Sequence, residues 1–344
     1  MKNSFLLVSL VVASLCCLTA SAVEQTPGVS PGAGVRYATD AYPGFDNENE
    51  IVNPSRKEPR WFSFIFGPDR QSAREQLAYC RDLLGASNWS KACSQLDALV
   101  REWPTSAEAP IAQRLLADTR LNQLLDTEQA FADYRYLLDF YSLQCEYDKV
   151  ADLLYKVAGL LKAEGKEVMF VRFENTVDVR RAFEACVLHA PGAKWVPEAL
   201  LIIASLRERE EKFAEAVKVY ENLRNLHPDS EEARISVVRE SSVRMKLLSD
   251  YGYNRSRCQD TMDFLKQALK SCRQEDLAEI QEMQEKVRLQ CEESDYQGAK
   301  FYDSPTRTVR SAITAYEKFL LEHPAGKYSE LVRARIEVLK GALK

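Results

Sequence analysis

Histidine is scarce in this chain, with three in 344 residues. They are His189, His227 and His323, dispersed too widely along the sequence to form a metal site with one another. No GxxxxGK[ST], GxGxxG, GxSxG or HExxH is present, so the usual marks of phosphate cradles, nucleophile elbows and zinc proteases are missing. Nothing places a nucleophile beside a base and an orienting group. The expectation is a non-enzyme with no cofactor and no metal. Glycine is also sparse, at 13, and several of these precede residue 70. The remainder therefore suits long helices joined by short turns. Basic residues are not in excess: 46 Lys and Arg face 51 Asp and Glu, a net charge of −5. This excludes the basic footprint that nucleic-acid binding needs. Beyond the first 22 residues no stretch approaches 18 apolar residues, so no later segment reads as a membrane-spanning helix.

What the chain does have is a phrase that returns three times. It reads Ala92-x3-Leu96-x2-Leu99-x4-Pro104, then Ala216-x3-Tyr220-x2-Leu223-x4-Pro228, then Ala312-x3-Tyr316-x2-Phe319-x4-Pro324. Positions i, i+4 and i+7 share one helix face. The small alanine allows a neighbouring helix to approach, the larger residues fill the space beyond, and proline ends the helix. Thr105 and Ser106, like Asp229 and Ser230, supply N-caps for the helix that follows. These residues are read as packing positions. A fixed internal period denotes a repeat array, and arrays present surfaces for holding other molecules.

The pattern resembles the tetratricopeptide repeat, a helix–turn–helix unit of roughly 34 residues. If Pro104 closes a unit, Ala73 opens it, Ala92 falls at its twentieth position and Cys80 takes the small eighth. The last copy has Lys300 at that eighth position. A weaker copy carries Ala130, Tyr134 and Leu137 and ends at Ser142, and another, around Phe183 and Cys186, ends at Pro191 with Val179 at the small position. Segments 147–162 and 258–290 have helical periodicity without the signature and are read as degenerate repeats or inserted helix pairs. The resemblance implies an all-α fold, an α-solenoid of TPR-like helix–turn–helix repeats over 70–344. Arg74, Arg81, Asn122 and Gln123 would then line an inner face of the first two repeats as candidate peptide- or partner-binding residues.

The N-terminus reads as a secretory signal over 1–22: Lys2, an apolar stretch from Phe5 to Leu18, then Ala20-Ser21-Ala22 before Val23. Two readings of this end stay open. One is ordinary cleavage after Ala22. The other is lipidation at Cys16 or Cys17, each preceded by a poor lipobox. Residues 23–69 form a Pro- and Gly-rich tether that ends in Arg60-Trp61-Phe62-Ser63-Phe64-Ile65-Phe66. That aromatic run is either a plug over the open end of the array or a membrane or partner contact. Seven cysteines remain after cleavage, an odd number. Cys80 and Cys93 would face each other in the first repeat, as a disulfide or as buried small residues.

Three further stretches resemble BamD, the tetratricopeptide-repeat lipoprotein family of outer-membrane β-barrel assembly. They are the first repeat's closing Pro104-Thr105-Ser106, the charged helix Asp276–Glu293 leading to Ala299-Lys300-Phe301-Tyr302, and the last repeat from Ser311 to Ser329. The resemblance implies a scaffold in the periplasm or at the periplasmic face of the outer membrane, peripherally associated with it. Its partners would be a BamA-like barrel protein with periplasmic domains and unfolded outer-membrane protein precursors, with no nucleic acid. The chain departs from the family in its poor lipobox, its long linker and the extra helix near 143–175. The alternative is a YbgF-like periplasmic adaptor coordinating envelope or wall processes. That family usually carries an N-terminal coiled coil, and residues 23–70 show no heptads.

Overall fold

The computed structural model describes residues 45, 67–164, 166–168, 171–173, 176–250, 255–304 and 307–342. The expected signal peptide, Cys16 and Cys17, the aromatic run at 61–66 and nearly all of the tether lie outside them. The chain divides into two compact units, one closing at Glu174 and the other running from Asn175 to Lys344. Each is a solenoid of antiparallel helix pairs, and the described residues are all-α but for one pair of three-residue strands.

The first unit holds α1 (Ala73–Gly85), α2 (Trp89–Glu102), α3 (Ala109–Thr119), α4 (Thr127–Phe140) and α5 (Tyr147–Glu164). Each helix packs on the next in sequence. After α5, β1 (Lys166–Val168) pairs antiparallel with β2 (Val171–Phe173), where the sequence analysis expected extra helix. Two of these helices, α1 and α4, start where a short polar side chain takes up an orphan backbone N–H group. Ser72 accepts from the Glu75 N–H at 3.3 Å, and Asp126 from the Gln129 N–H at 3.1 Å.

A buried polar rung crosses each repeat of this unit. Gln76 Nε2 donates to Gln95 Oε1 at 2.7 Å, and Gln113 Nε2 donates to the Asp133 carbonyl at 3.1 Å. Asp133 is buried and paired with Arg120 at 2.5 Å. Burial pushes its carboxyl up to about 6, against the opposing pull of Arg120 and Gln113. The native state therefore holds the Asp133 proton more tightly than the unfolded chain does. The stability this contributes is complete below the ordinary value of 3.8 and lost as pH rises through about 6. Relative to Asp133→Asn, the wild-type chain should lose about 2–3 kcal/mol between pH 4 and pH 8, measured by urea unfolding at each pH. A constant difference between the two proteins across that range would contradict the reading.

The second unit holds α6 (Thr176–His189), α7 (Val196–Arg209), α8 (Phe213–Leu226), α9 (Glu231–Asp250), α10 (Arg255–Ser271), α11 (Leu277–Tyr302), α12 (Val309–Glu322) and α13 (Ser329–Ala342). Again each helix packs on its successor, and α9 also reaches α7 and α11. The 258–290 stretch, lacking the repeat signature, forms α10 and the first half of α11. It has a core of its own, with Leu265, Ile280 and Val287 fully buried. A disulfide joins Cys258 on α10 to Cys291 on α11, with Cα atoms 6.2 Å apart. Cys80 and Cys93 are instead separate buried thiols. Burial pushes each up to about 11, which keeps both protonated and unreactive.

The repeated phrase becomes a repeated geometry. Ala92 and Ala216 are fully buried and Ala312 nearly so. The N–H of the residue before each closing proline donates to the carbonyl four residues back. These bonds run from Trp103 to Leu99, His227 to Leu223 and His323 to Phe319, at 2.8–2.9 Å. Ser106 and Ser230 then accept from the Ala109 and Ala233 N–H groups at 3.2 and 3.1 Å, starting the next helix. Pro104 is half-buried, whereas Pro228 and Pro324 are exposed, so they act by stopping the helix and not by packing. The signature tyrosines bury their rings, and each hydroxyl donates to a carboxylate near the end of the preceding helix: Tyr134 to Asp118, Tyr220 to Glu208, Tyr316 to Asp303. In the last copy the expected small position shifts by one residue: Lys300 is exposed and Ala299 packs into the core. Ala216→Trp should overpack α7 against α8 and cost about 1–3 kcal/mol or more. An unchanged melting temperature would contradict this packing.

Three inter-helix turns pass through a left-handed residue that is not glycine. Ser87 (φ 58°), Leu125 (φ 54°) and Glu211 (φ 60°) each stand one residue before a helix N-cap, at Asn88, Asp126 and Lys212. The recurrence makes this conformation part of the repeat's turn.

Candidate partner-binding surface

The residues expected to line an inner face are exposed. Arg74 and Arg81 stand one above the other on α1. Asn122 and Gln123 do not extend a regular α-helix but sit on a π-helical turn, Arg120–Leu124, after α3. Asn122 is tied to its own backbone, its Nδ2 donating to the Asp118 carbonyl at 2.8 Å. No direct contact between the arginines and this pair is seen among the described residues.

The surface with the clearest build lies in the last repeat. Here α11 runs unbroken to Tyr302 and delivers two aromatics into solvent. Phe301 is 60% exposed and Tyr302 is 41% exposed. Their rings meet edge to face at 5.6 Å. The Arg307 guanidinium lies over both, 4.1 Å from the Phe301 centroid and 5.0 Å from that of Tyr302. On α13, Leu331 and Val338 lie seven residues apart on one face and are likewise exposed. They flank a shallow groove also lined by Tyr296, Lys300, Tyr316 and Arg335.

Asp303 makes the floor of this groove rigid. Arg335 grips it with two bonds, Nε to Oδ2 at 2.7 Å and Nη2 to Oδ1 at 3.0 Å, and Tyr316 adds a third at 3.1 Å. Arg335 holds the Asp303 carboxyl below its ordinary range. Behind the groove, Tyr296 stacks on Tyr328 at 4.2 Å. The buried Glu292 accepts from the Tyr328 N–H at 3.1 Å. Gly326 permits that closure, because a β-carbon there would run into the Glu292 carboxylate. An aromatic pair, two aliphatics and a fixed charged clamp suit the anchoring of another protein chain, since exposed aromatics over a rigid base are typical binding hot spots. The sequence carried this site in Ala299-Lys300-Phe301-Tyr302. Only the helical register reveals that both rings point out.

Among the described residues, one group has three metal-ligating side chains close together: Asp295, Glu322 and His323.

Comparison with known proteins adds the repeat's identity. Residues 198–230 match the tetratricopeptide repeat family model. That span covers nearly all of α7, all of α8 and the turn through Ser230. No curated protein matches the chain. Among solved structures it is similar to a tetratricopeptide repeat protein from Parabacteroides merdae, at 14% identity and a TM-score of 0.29, covering 79% of this chain and 100% of that one. The family match shows that the chain carries a tetratricopeptide repeat, a type of module that mediates binding between proteins.

Proposed function

We propose that this protein is an exported, non-enzymatic scaffold of the bacterial cell envelope. In this reading it acts in a BamD-like way, helping to assemble and insert β-barrel proteins into the outer membrane. It binds the periplasmic domains of a BamA-like barrel protein and receives unfolded barrel precursors. The single observation that carries the reading is the closing repeat: a long charged helix ending in an exposed aromatic pair, followed by two helices that hold a rigid groove beside it. The Cys258–Cys291 disulfide supports export, because such bonds persist in oxidising compartments. No helix among the described residues is long and apolar enough to cross a membrane.

Phe301→Ala should weaken partner binding by about 2 kcal/mol or more while leaving the melting temperature unchanged, because the ring is exposed. Quantitative pull-down from solubilised envelope, scored for barrel proteins, reads the first effect, and thermal unfolding reads the second. Equal recovery of barrel proteins with both chains would contradict the assignment of this surface.

A further inference from the structure

We propose that the partner segment seated on the closing repeat is acidic: an apolar stretch of protein whose carboxylates meet Lys300, Arg307, Arg310 and Lys318 around the Phe301–Tyr302 pair. The inference rests on the partner-binding role proposed above and names the chemistry of that partner. Residues 300–327 carry five Lys and Arg against three Asp and Glu, in a chain whose net charge is −5. Among the described residues these four cations are exposed, and none has a carboxylate within ion-pair distance. The acids beside them are already taken. Arg335 holds Asp303 at 2.7 Å, Lys340 holds Glu317 at 3.1 Å and His323 holds Asp295 at 2.9 Å. Glu293 accepts from Gln297 at 2.8 Å and from the Tyr328 hydroxyl, and Glu322 has a partner as well. Glu330 and Glu337 on α13 stand about 140–160° round that helix from Arg335, away from the groove.

The cations surround apolar surface. Arg307 lies over both exposed rings, and a guanidinium so placed can still hold a carboxylate with two N–H bonds. Lys300 lines the groove with Leu331 and Val338. Arg310 and Lys318 lie eight residues apart on one face of α12, and Lys318 lines a smaller hollow with Tyr302 and Phe319. A segment that lays apolar side chains on these rings and in these hollows displaces water from around the cations. Attraction to its carboxylates strengthens as the water leaves. Hollows lined by apolar side chains favour a protein chain over the flat anionic surface of a membrane.

Fluorescence anisotropy of the full chain with two labelled synthetic peptides tests this, one alternating Leu or Phe with Glu, the other carrying Lys in place of Glu. The acidic peptide should bind saturably and lose affinity as salt is added, and the basic peptide should not bind. Lys300→Glu with Arg307→Glu should weaken the acidic peptide by about tenfold or more. Lys270→Glu with Lys286→Glu makes the same change in net charge elsewhere in the unit and should leave binding unchanged. All four positions are exposed, so both double variants should keep the wild-type circular dichroism spectrum and melting temperature. Equal binding of the two peptides, binding of neither, or equal weakening by the two double variants would overturn the proposal. So would binding of phosphatidylglycerol vesicles in place of the acidic peptide, lost in the Lys300→Glu, Arg307→Glu chain, which would make the patch a membrane contact. If Phe301→Ala lowers recovery of barrel proteins and the Lys300→Glu, Arg307→Glu chain does not, the acidic partner is excluded and the binding surface stands. Unchanged recovery with both removes the surface reading itself.

Discussion

Arg207→Met should lower the unfolding free energy by about 3–5 kcal/mol, the largest effect expected of any single substitution in this protein. Arg207 is fully buried on α7, as is Arg180 on α6. Between them sits Glu184, also fully buried, 2.7 Å from Arg180 and 3.4 Å from Arg207. Glu210 bonds Arg180 at 2.8 Å and approaches Arg207 at 3.6 Å, and Glu215 on α8 reaches Arg207 at 2.7 Å. The network thus ties α6, α7 and the start of α8 together through charges removed from water. Removing one cation leaves Glu184 and Glu210 short of a partner where water cannot replace it, and the desolvation cost already incurred is no longer offset. A quadruple variant, Arg180→Met, Arg207→Met, Glu184→Leu and Glu210→Leu, removes two charges together with two countercharges and should cost much less than the sum of its parts. Urea unfolding of both variants tests this. A single variant as stable as wild type would place these groups in water.

The second large effect belongs to the disulfide. Replacing both Cys258 and Cys291 by Ser should destabilise the chain by roughly 3–4 kcal/mol, from the loop entropy restored to the unfolded state across their sequence separation of 33. The bond lies in the core shared by α9, α10 and α11, where buried apolar residues such as Leu265 and Ile280 surround it. The double variant should unfold at lower urea than the oxidised wild type, and reductant should shift the wild type toward it. Coincident curves for all three would mean that the bond is absent or adds nothing to the fold.

The repeat was legible in the sequence because its chemistry is periodic. Ala92, Ala216 and Ala312 had to be small to admit a neighbour, and all three are buried. Ser106 and Ser230 cap the following helices as their places after proline suggested. The left-handed turns at Ser87, Leu125 and Glu211 were not legible, since none is the glycine or asparagine that announces such a turn. The buried Arg–Glu network was hidden for a related reason: a charged residue on a helix usually faces solvent, and only stacking of three helices encloses Arg180 and Arg207. The disulfide pairs cysteines that share no repeat position, so periodicity had no bearing on it. At the candidate surface, the motif Lys300-Phe301-Tyr302 was visible. That its rings point outward follows from α11 continuing unbroken, which puts Ala299, and not Lys300, into the core.

What the closing repeat holds in the cell decides the assembly role. A photo-activatable crosslinker placed at Phe301 of the full chain, in its native envelope, followed by mass spectrometry of the captured species, asks this directly. Capture of a BamA-like barrel protein or of unfolded barrel precursors is the result the account predicts. Capture of wall or division proteins in their place would contradict the assembly role and assign this repeat array to a different envelope process.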